Sequence, residues 1–102
     1  MTSPTQLSLK HLRKEGHTVA IVEHWNPHAF VRQDLFGFID ILVLTPDGIL
    51  GVQTTSYKNM SARVKKIRGS LNYSIWKGAG GKICVHGWKK VKSRWKLTER
   101  DL

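Results

Sequence analysis

Two apolar runs, FIDILVL at 38–44 and ILGVQTT at 49–55, stand either side of Thr45-Pro46-Asp47-Gly48. No other stretch constrains the fold as strongly. Short β-prone runs around a turn signal, with Pro placed for a type I turn, predict two strands joined as a hairpin. Side chains alternate along each strand, so Phe38, Asp40, Leu42 and Leu44 share one face, and Ile49, Gly51, Gln53 and Thr55 share one on the next. A lone carboxylate inside the run from Phe36 to Leu44 is costly to bury unless something compensates it. If Thr45 to Gly48 form a four-residue loop, Leu44 pairs with Ile49 and Asp40 falls opposite Gln53, with Cβ atoms about 5 Å apart. A three-residue loop with a Gly bulge would shift the pairing by one and send the two side chains to opposite faces. The sequence leaves both registers open.

Elsewhere, Ser3-Pro4-Thr5-Gln6 has the pattern of a helix start, with Ser as N-cap, Pro at the first helical position and Gln completing a capping box. That helix should run to about Glu15 and stop at Gly16. His17 to His24 reads as a strand, ended by Asn26-Pro27, and a loop leads to Gly37. Ser56 can cap a second helix, about Tyr57 to Arg68, whose apolar stripe is Tyr57, Met60, Val64 and Ile67. A short helical piece at Leu71–Lys77 precedes GAGG, and Lys82–Trp88 and Arg94–Glu99 read as weaker strands. The order is α, three β, α, then β. At 102 residues the chain is expected to form one domain over 1–102, with a modest core and no interdomain linker.

Charge narrows the function. Residues 48 to 98 hold no acidic residue and twelve basic ones, among them Lys58, Arg63, Lys65, Lys66, Lys89 and Lys90, and the whole chain carries +10. A solvated surface ordinarily mixes both signs, so a half-chain of one sign implies a polyanionic partner, here nucleic acid. An acidic membrane surface or an acidic protein is the weaker alternative. No apolar run reaches the roughly 20 residues of a membrane helix, and the start lacks a signal-peptide stretch, so the expectation is a soluble, cytoplasmic protein. The single Cys84 fits a reducing compartment.

Candidate chemistry is sparse. Asp40 and Gln53, with the acids Glu23 and Asp34, can form an oxygen-ligand site for Mg²⁺ or Mn²⁺. Glu23 is the better placed of those two acids if a strand fixes it; both are also natural partners for basic side chains, and Asp40 could simply accept loop amides. His24, His28 and His86 with Cys84 show no zinc spacing. GAGG at 78–81 lacks the Lys-Ser/Thr of a P-loop and reads as a turn. Trp76, Trp88 and Trp95 lie among basic residues, where they can stack on unpaired bases or pack against the sheet.

With these residues on the page, the chain resembles the PD-(D/E)XK nucleases over roughly residues 5 to 88. The carriers are the αβββαβ order, an Asp in the second strand, and Gln-Thr-Thr ending the third before a basic helix. The likeness is nearest to small phage and Holliday-junction-resolvase-like members, whose motif pairs a strand Asp with a later (E/Q)-x-K. The resemblance implies a restriction-endonuclease-like α/β core, a mixed sheet flanked by helices. It also implies Mg²⁺- or Mn²⁺-dependent hydrolysis of DNA phosphodiesters, selective for structure, as in recombination or repair, with a phage-encoded protein acting in the host cell. By the same resemblance Asp40 and Gln53 are metal ligands, with the Thr54 carbonyl a further one. Asp47 spells part of the motif but sits in the turn.

Two positions depart from the pattern. Thr55 stands where the family has lysine, and Gln6 stands where an acidic residue is often found on the first helix. Glu23 or Asp34 can replace that carboxylate, and Lys58 can reach back for the lysine. The catalytic set expected is therefore Glu23, Asp40, Gln53, Thr55 and Lys58, with Lys58, Arg63, Lys65, Lys66, Lys89 and Lys90 on the nucleic acid. The expected partner is DNA, whether branched, duplex or single-stranded, with no membrane and with room for a homodimer. A DNA-binding module without catalysis, and an RNA-binding or basic assembly protein, remain as alternatives.

Overall fold

A computed structural model describes residues 3–102. Helix α1 spans Pro4–Lys14, with Ser3 at its N-cap accepting from the Gln6 amide at 3.2 Å. The strands are β1 Thr18–Ile21, β2 His24–Asn26, β3 Val31–Gln33, β4 Ile41–Thr45 and β5 Gly48–Ser56, followed, beyond the helices α2 Met60–Arg68 and α3 Leu71–Gly78, by β6 Lys82–Val91 and β7 Arg94–Asp101. Five of them form one mixed sheet in the order β1-β4-β5-β6-β7, and β2 and β3 form a separate hairpin. The chain is thus an α/β fold with three helices around a mixed sheet.

β5 runs parallel to β6 and every other pair in the sheet is antiparallel. A parallel pair needs a crossover, and the helical stretch from Tyr57 to Gly78 supplies it. Helices then cover both faces. On one, Leu9 and Leu12 of α1 pack on Ile41, Val43 and Val52. On the other, Met60, Val64 and Ile67 of α2 pack with Phe38, Ile39, Ile83 and Val85. A strand buried on both faces has no polar side to show, which is why five consecutive residues of β5, Gly51 to Thr55, are buried. Gly51 has its own reason: a Cβ there would meet the Ile39 side chain at 2.8 Å.

The hairpin register is the one with Leu44 opposite Ile49, and Thr45 pairs with Gly48 around the Pro46-Asp47 corner. Thr45 Oγ1 donates to the Gly48 carbonyl and accepts from the Asp47 amide, which locks the turn. The expected strand from His17 to His24 is instead split. Val22 N still donates to the Asp40 carbonyl, and the chain then leaves the sheet to form the β2–β3 hairpin. That hairpin closes through Asn26, whose Oδ1 accepts from the His28 and Ala29 amides, and through Phe30 at φ 53°. β2 therefore falls at the end of the expected strand, and the region read as a loop holds the short strand β3. Residues 38–40 also lie outside β4, because Phe36 and Gly37, both at positive φ, turn the chain so that Leu35 and Ile39 bond to each other. Ser56 makes no side-chain cap; a 3₁₀ turn, Tyr57–Asn59, comes before α2, and Tyr57 of the expected stripe is exposed. Among the described residues, no helix is long and apolar enough to cross a membrane.

Candidate metal centre

Asp40 stands at the threshold of β4 with its backbone held on both sides. Its N–H donates to the Val52 carbonyl and its carbonyl accepts from Val22, each at 2.9 Å. The side chain is 3% exposed. Its Oδ2 accepts from Gln53 Nε2 at 2.6 Å, from the Thr54 amide at 2.7 Å and from Thr54 Oγ1 at 3.0 Å. Asp40 and Gln53 are therefore cross-strand neighbours on one side, as the Leu44–Ile49 register requires. Gln53 Nε2 also reaches Asp34 Oδ2 at 3.4 Å, while Thr5 Oγ1 of α1 lies 2.8 Å from Thr54 Oγ1.

Two more carboxylates arrive by local geometry. The β2–β3 register pairs His24 with Gln33, so one step outward sets Glu23 opposite Asp34. The Leu35–Ile39 turn then folds Asp34 back beside Asp40. One oxygen each from Glu23, Asp34 and Asp40 lie within 4.8 Å of one another. Burial, and then the hydrogen bond to the Asp34 carboxyl, push Asp40 up from its ordinary 3.8 to about 8, against the Thr54 amide, which works to lower it. Three carboxylates so close, one of them buried, favour either a proton or a cation among them. Among the described residues, the three N–H and O–H donors that Asp40 accepts all fall on Oδ2, leaving Oδ1 without one. An all-oxygen donor set suits a hard divalent ion such as Mg²⁺ or Mn²⁺.

The group lies in a cleft of about 690 Å³ whose walls also carry Arg32, Arg63 and Lys66. Acid at the centre and base around it can hold a cation and a phosphate together. Glu23 sits in the junction between β1 and β2, so a strand does not fix it; an ion pair with Arg32 at 3.6 Å and its partial burial do. Thr54 meets Asp40 through its amide and hydroxyl, which are the contacts the structure shows for it.

The remaining expected residues divide. Arg63 and Lys66 line the cleft. Thr55 is buried, follows the opposite alternation from Thr54 and is not part of the cleft wall. Lys58 does not reach back: it lines a separate groove with Tyr57, Ser61 and Thr98, because the 3₁₀ turn carries it away before α2 begins. Lys65 is an exposed position on α2 outside the cleft wall. Lys89 and Lys90 stand on the part of β6 that continues past Trp88, the partner of Ser56 at the end of β5. Three further residues at ~3.3 Å each carry this strand about 10 Å beyond β5, at the end of the sheet where Gln53 and Asp40 lie. Lys89 sits over the Tyr57 ring and Lys90 over the Trp95 ring.

Sequence reasoning missed Arg32 and Thr5. Arg32 had a signal, since it lies two residues before Asp34 and so shares its side of an extended chain. Thr5 had none, because only the docking of α1 brings it to Thr54. Of the tryptophans, Trp88 is buried and donates to Ser8 Oγ, Trp76 donates to the Lys82 carbonyl, and Trp95 is exposed. Comparison of the chain with family models, with characterised proteins and with solved structures gives no match.

Proposed function

We propose that the chain is a metal-dependent endonuclease of the PD-(D/E)XK type that hydrolyses DNA phosphodiester bonds, selecting structure rather than sequence. The observation that carries the reading is the convergence of Glu23, Asp34 and Asp40 within 4.8 Å in a cleft walled by Arg32, Arg63 and Lys66. The element order supports the fold assignment: with the β2–β3 hairpin set aside, α1, β1, β4, β5, α2 and β6 follow αβββαβ.

In this reading Asp40, Asp34 and Glu23 hold Mg²⁺ or Mn²⁺, with Gln53 fixing the Asp40 carboxylate through its amide. A bound ion of this class supplies a water of lowered pKa and polarises the scissile phosphate. Lys66 and Arg63, on the cleft wall, take the phosphate charge that the motif lysine takes elsewhere in the family. Thr55, buried where that lysine is expected, instead completes the packing of β5. Lys89 and Lys90, projecting past the end of β5, grip the backbone on either side of the cut. Phosphate contacts carry no sequence information, hence the structure preference.

A specific observation also favours the second reading, a DNA-binding module without catalysis: the three internal hydrogen bonds on Asp40 Oδ2 are what a purely structural carboxylate would make. Incubation with branched, duplex and single-stranded DNA, in Mg²⁺, Mn²⁺ or EDTA, separates the two. Cleavage that needs the ion and disappears in Asp40→Asn supports the nuclease. Tight binding with no cleavage under any of these conditions supports the module.

A further inference from the structure

A second group of metal-ligating side chains lies on the α1 side of the sheet, where the nuclease reading has no use for it. β6 carries Cys84 and His86 two residues apart, hence on one face, and β7 sets Asp101 opposite Cys84 and Glu99 opposite His86. One donor atom each from Cys84, His86 and Glu99 lie within 4.8 Å of one another. The imidazole is already aimed. Its Nδ1 is 2.9 Å from Ser8 Oγ, which also accepts from Trp88 Nε1 at 2.8 Å, and its Nε2 is 3.3 Å from Glu99 Oε1. The Cys84 thiol has only a long 3.9 Å approach to the Val85 carbonyl.

We propose that Cys84, His86 and Glu99, with Asp101 beside them, form a second metal site, selective for a borderline transition ion of the Zn²⁺ class and separate from the carboxylate cleft. Sulfur, imidazole nitrogen and carboxylate oxygen together suit Zn²⁺ or Co²⁺ and disfavour Mg²⁺, the reverse of the Asp40 group. Ser8 acts as a positioning residue: with Nδ1–H donated to its oxygen, the Nε2 lone pair faces the ion, the usual outer-shell device for a ligating histidine. The two acids of the C-terminal half, Glu99 and Asp101, are both spent on this spot, although without a cation they crowd the chain's one thiol. On binding, the thiol proton leaves to solvent and the thiolate bonds the metal. Glu99, with its side chain 55% exposed, provides the way in. Linear spacing hid the site because its donors come as two i, i+2 pairs on antiparallel neighbours rather than as the knuckles of a zinc ribbon.

The test is a Co²⁺ titration of the full chain, stripped with chelator and desalted, followed by optical absorption and by metal analysis, with Zn²⁺ as competitor. One Co²⁺ per chain is expected to carry a thiolate-to-cobalt charge-transfer band and tetrahedral d–d bands, both displaced by Zn²⁺; Co²⁺ held by the carboxylate cleft adds to the metal count but not to the charge-transfer band. Cys84→Ala should lose the charge-transfer band. Glu99→Gln, on an exposed strand position that leaves folding intact, should weaken Zn²⁺ binding by about tenfold or more. Asp40→Asn should leave band and affinity unchanged. The proposal is overturned if folded wild type shows no charge-transfer band, or if Zn²⁺ binding survives Glu99→Gln but falls in Asp40→Asn, which would put the ion in the cleft.

Discussion

The Asp40 cleft and the His86 pocket meet across the neighbouring strands β5 and β6 and are anchored by the same helix, yet they treat charge in opposite ways. Thr5 and Ser8, one turn apart on α1, reach Thr54 and His86 respectively, and Thr54 and His86 are register partners on β5 and β6. In the cleft, an acid is buried among other acids, and burial lifts Asp40 to about 8. In the pocket, burial first, and then the charge of nearby His11, lower His86 from 6.5 to about 4, so the ring is neutral at pH 7. Cys84 beside it is raised to about 12, by burial and then by the charge of Asp101. One platform thus keeps a proton on a carboxyl and off an imidazole. The cleft's acids are walled by Arg32, Arg63 and Lys66, whereas the pocket's Glu99 borders a groove with Lys58 and Arg100.

The largest test of that contrast is Asp40→Asn. We expect metal-dependent cleavage to fall by about 10³-fold, a barrier change of ~4 kcal/mol, with DNA affinity kept or slightly raised. The new amide keeps an acceptor for Gln53 and Thr54 and offers an N–H toward Asp34 and Glu23, so the metal-free fold should be no less stable. If Asp40 were only a structural acceptor, the change would instead cost on the order of 1 to 3 kcal/mol of stability, and cleavage would track folded protein. Melting temperature, affinity and rate from one preparation decide between these.

Next comes pH dependence in EDTA, where the two regions should pull against each other. Asp40 has a folded pKa above its unfolded one, so its contribution is present in acid and is lost as pH rises from about 4 to about 8. His86 has a folded pKa below its unfolded one, so its contribution is present above pH 6.5 and is lost as pH falls through about 4. Between pH 4 and 6.5 the slopes cancel. From 6.5 to 8 only Asp40 acts, and stability should drop by about 2 kcal/mol. Asp40→Asn should remove that drop and expose the His86 slope below 6.5, and Mn²⁺ should flatten the alkaline side of wild type. Chemical denaturation across this range measures all three.

A smaller effect is expected from the basic surface. With about five phosphates neutralised, the logarithm of duplex affinity should fall against the logarithm of salt with a slope of about −4.5. Lys66→Glu, on the cleft wall, should weaken binding to every sequence and reduce cleavage, whereas Lys65→Glu, outside it, should weaken binding alone. Equal effects on cleavage would mean that the wall has no special part in catalysis. Smallest of all is Lys58→Ala. Its groove is separate from the cleft, and an exposed charge of this kind is worth less than ~1 kcal/mol, so cleavage should change by no more than about twofold.

How far the sequence alone could go is clear from particular residues. The TPDG corner and the apolar runs around it dictate a hairpin, and alternation then puts Asp40 and Gln53 on one face once the register is known. The Pro4 helix start, the α2 stripe and the acid-free basic half are equally local or compositional, and so were legible. Register was not, because it depends on one residue of loop geometry, and only the Thr45–Gly48 pairing decides it. The β2–β3 hairpin was invisible for a similar reason. Three-residue strands carry too little periodicity to announce themselves, yet this one sets Glu23 beside Asp34. Lys58 stands away from the cleft wall, because proximity in sequence to Thr55 says nothing about where a 3₁₀ turn will carry a side chain. The Cys84, His86 and Glu99 group is assembled by strand pairing across fifteen residues, and Thr5 and Ser8 join the two sites through docking of a helix from the far end of the chain. Local chemistry therefore determined which residues carry charge, bend the chain or alternate between faces. Tertiary structure alone decided which of them meet, since contacts between distant segments follow from how the faces pack and not from any residue's own preference.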